Sequence, residues 1–151
     1  MNQHNAPLLI PRSILDAMID HCRREAPREC CGLLGGVPPA VSSIDPLRNT
    51  EVEAGETRYN ADPADLVAAV RRLRDRNAEI LAIYHSHPRW APIPSRADLD
   101  LNYYGAVPRI IVSLLDDKPQ VRAWRLDPDS YEELPWQVAA DSDVEPGRPA
   151  D

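Results

Sequence analysis

The segment Ile80-Leu-Ala-Ile-Tyr-His-Ser-His-Pro88 joins an apolar run to two closely spaced histidines. Its first five residues are nearly all apolar, which is typical of a central strand that is buried on both faces. Residues two apart in an extended strand project to the same side, so the imidazoles of His85 and His87 can converge on one point. The segment therefore predicts a buried strand that ends in a pair of candidate metal ligands.

On the N-terminal side of this segment, the pattern predicts two helices and three short strands. The first helix has apolar side chains at the i, i+3, i+4, i+7 spacing and ends before Pro27. Short apolar runs bounded by glycine or proline predict strands at 29–36 and 41–47, and a third strand is expected at 56–60. The second helix opens with Asp62 as its N-cap, followed by a proline. The apolar faces expected to be buried are Leu15, Met18, Ile19 and Cys22 in the first helix and Leu66, Val67, Val70 and Leu73 in the second.

On the C-terminal side, a proline-rich loop at 88–94 leads into a short helix that is expected to run from Ser95 to about Tyr104. Three further strands are predicted at 109–115, 121–126 and 131–138. Residues 139–151 are acidic and contain two prolines and a glycine, so they are expected to form a disordered tail. The alternation of helices and strands predicts one α/β domain at residues 1–138.

The composition of the chain excludes several classes of function. The chain has 151 residues and a net charge of -7, so nucleic acid is a poor candidate partner. No apolar run is long enough to cross a bilayer, and the N-terminus lacks the features of a signal peptide. The cysteines are three in number, two of them adjacent, which favours free thiols in a reducing cytoplasm over a disulfide framework. We therefore expect a cytoplasmic protein with no membrane partner.

The two histidines need a further ligand to bind zinc. The next acidic residue in a structured context is Asp98, in Ser95-Arg-Ala-Asp98 at the start of the short helix. Two histidines, one aspartate and an open fourth position form the ligand set of a catalytic zinc site. Such a site lowers the pKa of a bound water to about 7, and hydrolysis then needs a carboxylate base outside the ligand set. Glu29, at the junction of the first helix and the first strand, is the candidate base.

Each of these residues also has a purely structural interpretation. Ser95 and Asp98 have the spacing of an ordinary helix cap, and Glu29 alone is compatible with a surface charge. Cys30 and Cys31 are most simply core thiols. A thiol enzyme that pairs one of these cysteines with a histidine is a further alternative, which predicts inhibition by alkylation and not by chelation. The combination of all these residues favours the metal site.

The combination also resembles a known family signature. His85-Ser-His-Pro88, six further residues and Ser95-Arg-Ala-Asp98 follow Glu29, which precedes a Cys-Gly-Leu-Leu-Gly context. This pattern resembles that of the JAMM (MPN+) zinc metallopeptidases, over about residues 8–138. The resemblance implies an α/β/α sandwich around a curved mixed β-sheet, the MPN domain. It implies one zinc ion per chain on His85, His87 and Asp98, Glu29 as general base and acid, and Ser95 as hydrogen-bond donor to the oxyanion.

The resemblance further implies a substrate class. The chain is most similar to small bacterial stand-alone members that act on ubiquitin-like sulfur carriers, including a peptidase that releases cysteine from its carrier and shares Pro-Ser-Arg-x-Asp, here residues 94–98. The implied partner is a ubiquitin-like sulfur-carrier protein or its C-terminal adduct, cleaved after its Gly-Gly end. The carrier, the released residue and the oligomeric state stay open, with a homodimer among the options. The alternative is a metal-free MPN-type scaffold for protein interactions, which the retention of all five motif residues disfavours.

Overall fold

The computed structural model describes residues 6–102 and 104–141. Its strands form one eight-stranded mixed sheet in the order β7-β6-β5-β4-β2-β3-β1-β8. In chain order the elements are β1 (Leu8–Pro11), α1 (Arg12–Glu25), β2 (Cys31–Val37), β3 (Ala40–Leu47), α2 (Pro63–Asp75), β4 (Glu79–His87), α3 (Arg96–Asp100), β5 (Arg109–Ser113), β6 (Gln120–Leu126), β7 (Tyr131–Leu134) and β8 (Trp136–Ala139). No helix of this described part is long and apolar enough to cross a membrane.

The sheet is strongly curved, which brings its two edges close to each other. β7 and β8 occupy opposite ends of the strand order, yet only Pro135 separates them in the chain. The indole Nε1 of Trp136 in β8 donates a hydrogen bond to the carbonyl of Val121 in β6, at 3.2 Å. The expected single strand at 131–138 is therefore wrong. Proline lacks the N–H that a continuing ladder requires, so the chain changes edge at Pro135. The curved mixed sheet expected from the sequence is confirmed.

The two long helices lie on opposite faces of the sheet. Side chains of α1 share a core cluster with Tyr84 of β4, whereas Ala69 of α2 packs in a second cluster with Ile83. Adjacent residues of a strand point to opposite faces, so α1 and α2 cover the sheet from two sides. β4, which pairs with β2 on one side and with β5 on the other, is the central strand predicted from its apolar run.

A glycine in β2 makes room for the largest buried side chain of β4. Gly32 pairs with Tyr84, and a Cβ atom at Gly32 would lie 2.3 Å from the phenol ring. The hydroxyl of Tyr84 lies 2.7 Å from Nδ1 of His21 in α1. The absence of a side chain at Gly32 thus lets the ring lie flat on the sheet and reach the helix above it.

We expect Gly32→Ala to lower the free energy of unfolding by about 1–3 kcal/mol, because the fully buried ring of Tyr84 cannot move away without strain. Urea denaturation of the metal-free protein measures the effect. Val52→Ala is the control, since Val52 is 86% exposed and should change stability little. Equal stabilities of the two variants would contradict the packing argument.

Three local predictions differ from the structure. Residues 56 and 57 lie in a turn and residues 58–60 form no regular strand. The Asn49 side chain bonds the backbone carbonyl of Arg58 and the backbone N–H of Asn60. The short helix ends at Asp100 and does not reach Tyr104. Val67 was expected on the buried face of α2 but is 50% exposed. The buried residues of α2 are Ala69 and Leu73, and Val67 lies on the other side of the helix.

Both ends of the described chain add contacts that the sequence did not predict. β1 has only four residues, too few for a periodic pattern, and it pairs in parallel with β8. β8 includes Ala139, and the backbone N–H and hydroxyl of Ser13 both donate to Oδ1 of Asp141 at 3.1 Å. The regular structure thus extends slightly beyond residue 138. Most of the predicted disordered tail, residues 142–151, lies outside the described residues.

Candidate metal centre and active site

The two histidines of β4 converge as the strand geometry predicts. His85 and His87 are both buried, and their Nε2 atoms are 3.2 Å apart. Both side chains lie on the α2 face of the sheet, the face of Ile83. β4 continues to His87, so the extended backbone that aligns the imidazoles is part of the sheet.

The proline-rich loop is fixed to the sheet through three consecutive carbonyl groups. The carbonyl of Trp90 accepts a hydrogen bond from the Ser113 hydroxyl, and that of Pro92 accepts from Nε1 of Trp124 at 2.9 Å. Between them, the carbonyl of Ala91 lies 2.8 Å from Nδ1 of His87. These bonds fold the loop back over the end of β4 and bring the start of α3 to the histidines. They also assign the Nδ1 proton of His87, which leaves its Nε2 lone pair free for a metal.

Asp98 belongs to a helix cap and to the histidine cluster at the same time. The backbone N–H of Ser95 donates to Oδ2 of Asp98 at 2.8 Å, and the N–H of Asp98 donates to the Ser95 hydroxyl oxygen at 3.1 Å. The carboxylate also lies 3.0 Å from Nε2 of His85 and 3.1 Å from Nε2 of His87. Burial opposes its ionisation, but the two imidazoles lower the pKa of Asp98 far below its usual range. The capping interpretation and the ligand interpretation of Ser95-Arg-Ala-Asp98 are thus compatible.

Glu29 lies in the chain between α1 and β2 and is only 2% exposed. Its backbone is fixed on both sides, since its N–H donates to the carbonyl of Gly55 at 2.6 Å and its carbonyl accepts from Nδ2 of Asn49 at 3.0 Å. Oε1 of Glu29 has no hydrogen-bond partner in the described part of the chain. Burial raises its pKa to about 7, although the two histidines oppose this. The carboxylate is therefore buried, fixed and available to a ligand or a water.

The donor atoms fit a metal ion. One donor atom from each of Glu29, His85, His87 and Asp98 lies within 4.8 Å of the other three. In tetrahedral coordination at about 2.05 Å, neighbouring ligand atoms are roughly 3.3 Å apart, close to the 3.2 Å between the Nε2 atoms of His85 and His87. Oδ1 of Asp98 lies 3.0 Å from Nε2 of His85, and Oδ2 lies 3.1 Å from Nε2 of His87. Two imidazoles and an ionised carboxylate are a ligand set typical of zinc. These residues could hold one metal ion without rearrangement of the backbone.

Two residues around the cluster were not singled out from the sequence. The ring of Tyr59 stacks on His85 with centroids 4.8 Å apart, while Nδ1 of His85 has no hydrogen-bond partner among the described residues. The Tyr59 ring thus orients the His85 imidazole, whose Nδ1 atom has no hydrogen bond to do so. Asn49 fixes both the backbone of Glu29 and the segment that carries Tyr59. Tyr59 lies in residues 56–60, for which the sequence predicted only a strand.

The cysteines lie beside the cluster and have other contacts. Sγ of Cys30 lies 3.2 Å from Sγ of Cys22, and Sγ of Cys31 is 3.8 Å from the carbonyl of Leu47. Neither contact pairs a thiol with His85 or His87, so the arrangement does not favour the alternative of a thiol enzyme that uses these histidines. All three cysteines are free and buried, as expected.

We expect Glu29→Gln to make the metal-free protein more stable than wild type at pH 8 and to lose this advantage in acid. The pKa of Glu29 rises from an ordinary value of 4.5 to about 7 on folding, so the unfolded chain loses a proton that the folded chain keeps. Stability therefore falls as the pH rises through this range, by at most roughly 3 kcal/mol. Glutamine does not titrate in this range, so the stability of the variant lacks this dependence on pH. Urea denaturation at pH 5 and pH 8 measures the difference, with the exposed Glu25→Gln as control. A difference between Glu29→Gln and wild type that does not change with pH would contradict the assigned pKa.

Comparison with known proteins identifies the family. A probable TtuB-protein conjugate cleaving protease of Thermus thermophilus is 38% identical over 96 residues, which are 64% of this chain and 64% of that protein, so the match spans less than two thirds of the relative. The CysO-cysteine peptidase of Mycobacterium tuberculosis is 29% identical over 132 residues, 87% of this chain and 90% of that protein. A JAB1/MPN domain protein of Archaeoglobus fulgidus superposes with a TM-score of 0.60 at 20% identity, covering 89% of this chain and 99% of that one, which shows a shared fold.

These comparisons agree with the expectations drawn from the sequence. The fold and the family resemblance are confirmed. The two curated relatives are named as a conjugate-cleaving protease and a peptidase. The model of the prokaryotic homologs of the JAB domain matches residues 11–127, which include Glu29, both histidines, Ser95 and Asp98. The chain belongs to this family, the prokaryotic homologs of the JAB domain.

Proposed function

We propose that this protein is a zinc-dependent peptidase or isopeptidase that hydrolyses the amide bond after the Gly-Gly end of a ubiquitin-like sulfur-carrier protein. The observation that carries the proposal is the buried cluster of Glu29, His85, His87 and Asp98. The conjugate-cleaving and cysteine-releasing activities in the names of its relatives support the substrate class.

In this proposal His85, His87 and Asp98 bind one zinc ion per chain, and Glu29 stays outside the ligand set. Zinc supplies a Lewis acid that lowers the pKa of water to about 7 and polarises the carbonyl of the scissile amide. His87 is held by Ala91, His85 by the Tyr59 ring, and Asp98 by the helix cap. Preorganised ligands of this kind leave one position open for water and substrate.

Glu29 acts as general base and then as general acid. Its unpartnered Oε1 takes a proton from the attacking water and later passes it to the nitrogen of the leaving amine. A pKa near 7 suits both steps, because a group titrating near the working pH can accept and donate. The fixed backbone of Glu29 limits the movement of the carboxylate between the two steps.

Ser95 supplies a hydrogen bond to the oxyanion. Its hydroxyl oxygen accepts from the N–H of Asp98, so the hydroxyl proton stays available to a second partner. Directed at the carbonyl oxygen of the substrate, this O–H stabilises charge that develops only in the transition state. Ser95 would then cap α3 and donate to the oxyanion.

The loop at 88–94 is positioned to contact the carrier tail. Trp90 is 57% exposed although the loop backbone around it is fixed, and Arg89 pairs with Glu56 of the 49–60 segment at 3.1 Å. The pair joins the two segments that flank the cluster. A tail that ends in Gly-Gly has no side chains at the two residues before the scissile bond, so its backbone can lie close to these segments.

Further expectations complete the proposal. The protein acts in the cytoplasm, because its three buried free thiols suit a reducing compartment. The catalytic domain comprises residues 1–138 as expected from the sequence, extended by the contacts of Ala139 and Asp141, and the rest of 139–151 is a tail. Neither nucleic acid nor a membrane is a partner.

Cleavage of defined carrier adducts tests the proposed function. The full-length, zinc-loaded protein is incubated with a ubiquitin-like protein ending in Gly-Gly, joined to cysteine by an α-amide in one sample and to the ε-amine of lysine in another. Mass spectrometry should show cleavage after the second glycine in at least one sample, and a chelator should abolish it. A carrier ending in Ala-Ala is the matched control. Persistence of both Gly-Gly adducts with zinc bound would refute the proposal.

The alternative of a metal-free scaffold makes a different prediction. Such a protein would bind a partner without bound zinc and without cleavage. The buried donors disfavour it, since a scaffold gains nothing from a carboxylate that is buried without a hydrogen-bond partner. The metal content of the purified protein distinguishes the two.

A further inference from the structure

We propose that Cys22 and Cys30 form a site of reversible oxidation to a disulfide, and that this disulfide lowers the activity of the neighbouring active site. Cys22 lies in α1, and Cys30 lies between Glu29 and the start of β2. Their sulfur atoms are 3.2 Å apart, and both residues are buried. The effect on activity rests on the proposed function, whereas disulfide formation does not.

A histidine and a cavity accompany the two sulfurs. His21 precedes Cys22, and its Nδ1 lies 2.7 Å from the hydroxyl of Tyr84. The contact with the Cys22 thiol, with His21 contributing, outweighs burial and lowers the pKa of Cys30 below its ordinary value. A thiolate is the form of cysteine that attacks oxidants. A cavity of about 550 Å³ lined in part by His21, Glu29 and Cys30 lies beside the pair and has room for a small oxidant.

The oxidant we name is hydrogen peroxide. The Cys30 thiolate attacks one peroxide oxygen, so an S–O bond forms, the O–O bond breaks and hydroxide leaves. The sulfur of Cys22 then attacks the sulfenic sulfur of Cys30, which forms the S–S bond and breaks the S–O bond. The released oxygen leaves as water with the Cys22 proton. Two thiols and one peroxide thus give one disulfide and two waters, and a thiol reductant reverses the reaction.

The disulfide would pull on the chain next to the general base. An S–S bond of about 2.05 Å requires the sulfurs to approach by roughly 1 Å. Cys30 cannot move alone, because its N–H donates to the Ser86 hydroxyl at 2.8 Å and its carbonyl accepts from the Ser86 N–H at 3.1 Å. Ser86 lies between His85 and His87, and Glu29 directly precedes Cys30. Movement at Cys30 therefore displaces the base relative to the ligands.

Thiol counting tests the disulfide without any substrate. The full chain is treated with hydrogen peroxide, denatured and titrated with a thiol reagent. We expect the three free thiols to fall to one and to return after reduction.

Trypsin cleaves after Arg23, Arg24 and Arg28, so a disulfide would link the peptide with Cys22 to the one with Cys30. Cys31→Ala should keep this link and Cys30→Ala should lose it. Three thiols that persist in the oxidised wild type, or a link through Cys31, would overturn the proposal.

The activity assay tests the coupling. Oxidation should lower kcat by about tenfold to a hundredfold in wild type and in Cys31→Ala, since a displacement of about 1 Å at a catalytic group has effects of this size. Cys22→Ala should keep its activity in peroxide. Equal inhibition of Cys22→Ala, or an oxidised wild type with unchanged kcat, would overturn the coupling. Failure of unoxidised wild type to cleave any adduct would instead refute the proposed function, and the thiol count would still decide the disulfide.

Discussion

Replacing Glu29 by glutamine should lower kcat by about three orders of magnitude while zinc stays bound. The amide keeps the volume of the carboxylate but cannot accept a proton from water at neutral pH. Oε1 of Glu29 has no hydrogen-bond partner among the described residues, so it is available to that water. The measurement is kcat on a cleavable carrier adduct, with metal content determined on the same sample.

Glu25→Gln is the matched control for this substitution. Glu25 lies at the end of α1, four residues before Glu29, and its side chain is exposed. The same chemical change there should leave kcat within about twofold of wild type. If Glu29→Gln hydrolysed the adduct at the wild-type rate with zinc bound, Glu29 would have no part in proton transfer, and another group would have to act as base.

The loss of activity and the gain in stability expected at Glu29 have one cause. Glu29 is only 2% exposed, so burial makes its charged form unfavourable. This raises the pKa of Glu29 to about 7, which makes the residue a suitable base. The same unfavourable charge lowers the stability of the metal-free fold at alkaline pH. Glutamine removes both effects, so the two measurements on one variant should move in opposite directions.

Local sequence was sufficient to predict the central part of the site. The two-residue spacing of His85 and His87 depends only on an extended backbone, and the apolar run before them predicts that backbone. The pairing of Ser95 with Asp98 likewise follows from the geometry of one helix turn. That Asp98 meets the histidines did not follow from either pattern. It depends on the carbonyl contacts of the 88–94 loop, which involve β5 and β6.

The features that the sequence did not predict depend on contacts between residues far apart in the chain. Tyr59 reaches His85 because Asn49 satisfies the backbone of a segment that would otherwise need a strand partner, and nothing in the local pattern indicates that partner. The division of residues 131–138 between the two sheet edges depends on the curvature of the whole sheet, although Pro135 marked the point of division. The contact between Cys22 and Cys30 requires the packing of α1 on the sheet, so the sequence could only identify both as free thiols.

Replacing His87 by alanine should remove both the zinc and the activity. The imidazole contributes one of three ligands, and its Nδ1 contact with Ala91 orients it before metal binding. Loss of an outer-shell partner alone weakens metal binding by about 10- to 100-fold, so loss of a ligand should weaken it at least a hundredfold. Mass spectrometry of untagged protein should find about one zinc per chain in wild type and none in His87→Ala, with turnover at background.

A second pair of variants separates loss of the ligand from damage to the fold. Asp98→Asn should also lose zinc, whereas Asp100→Asn, two residues along the same short helix and exposed, should retain it and remain active. Similar far-ultraviolet circular dichroism of all four proteins without metal would show that the sheet is intact.

A wild-type protein that stays free of zinc after incubation with the metal would contradict the metal site and favour the interaction scaffold. Zinc retained by both His87→Ala and Asp98→Asn would place the metal elsewhere, since those two side chains and His85 are the proposed ligands.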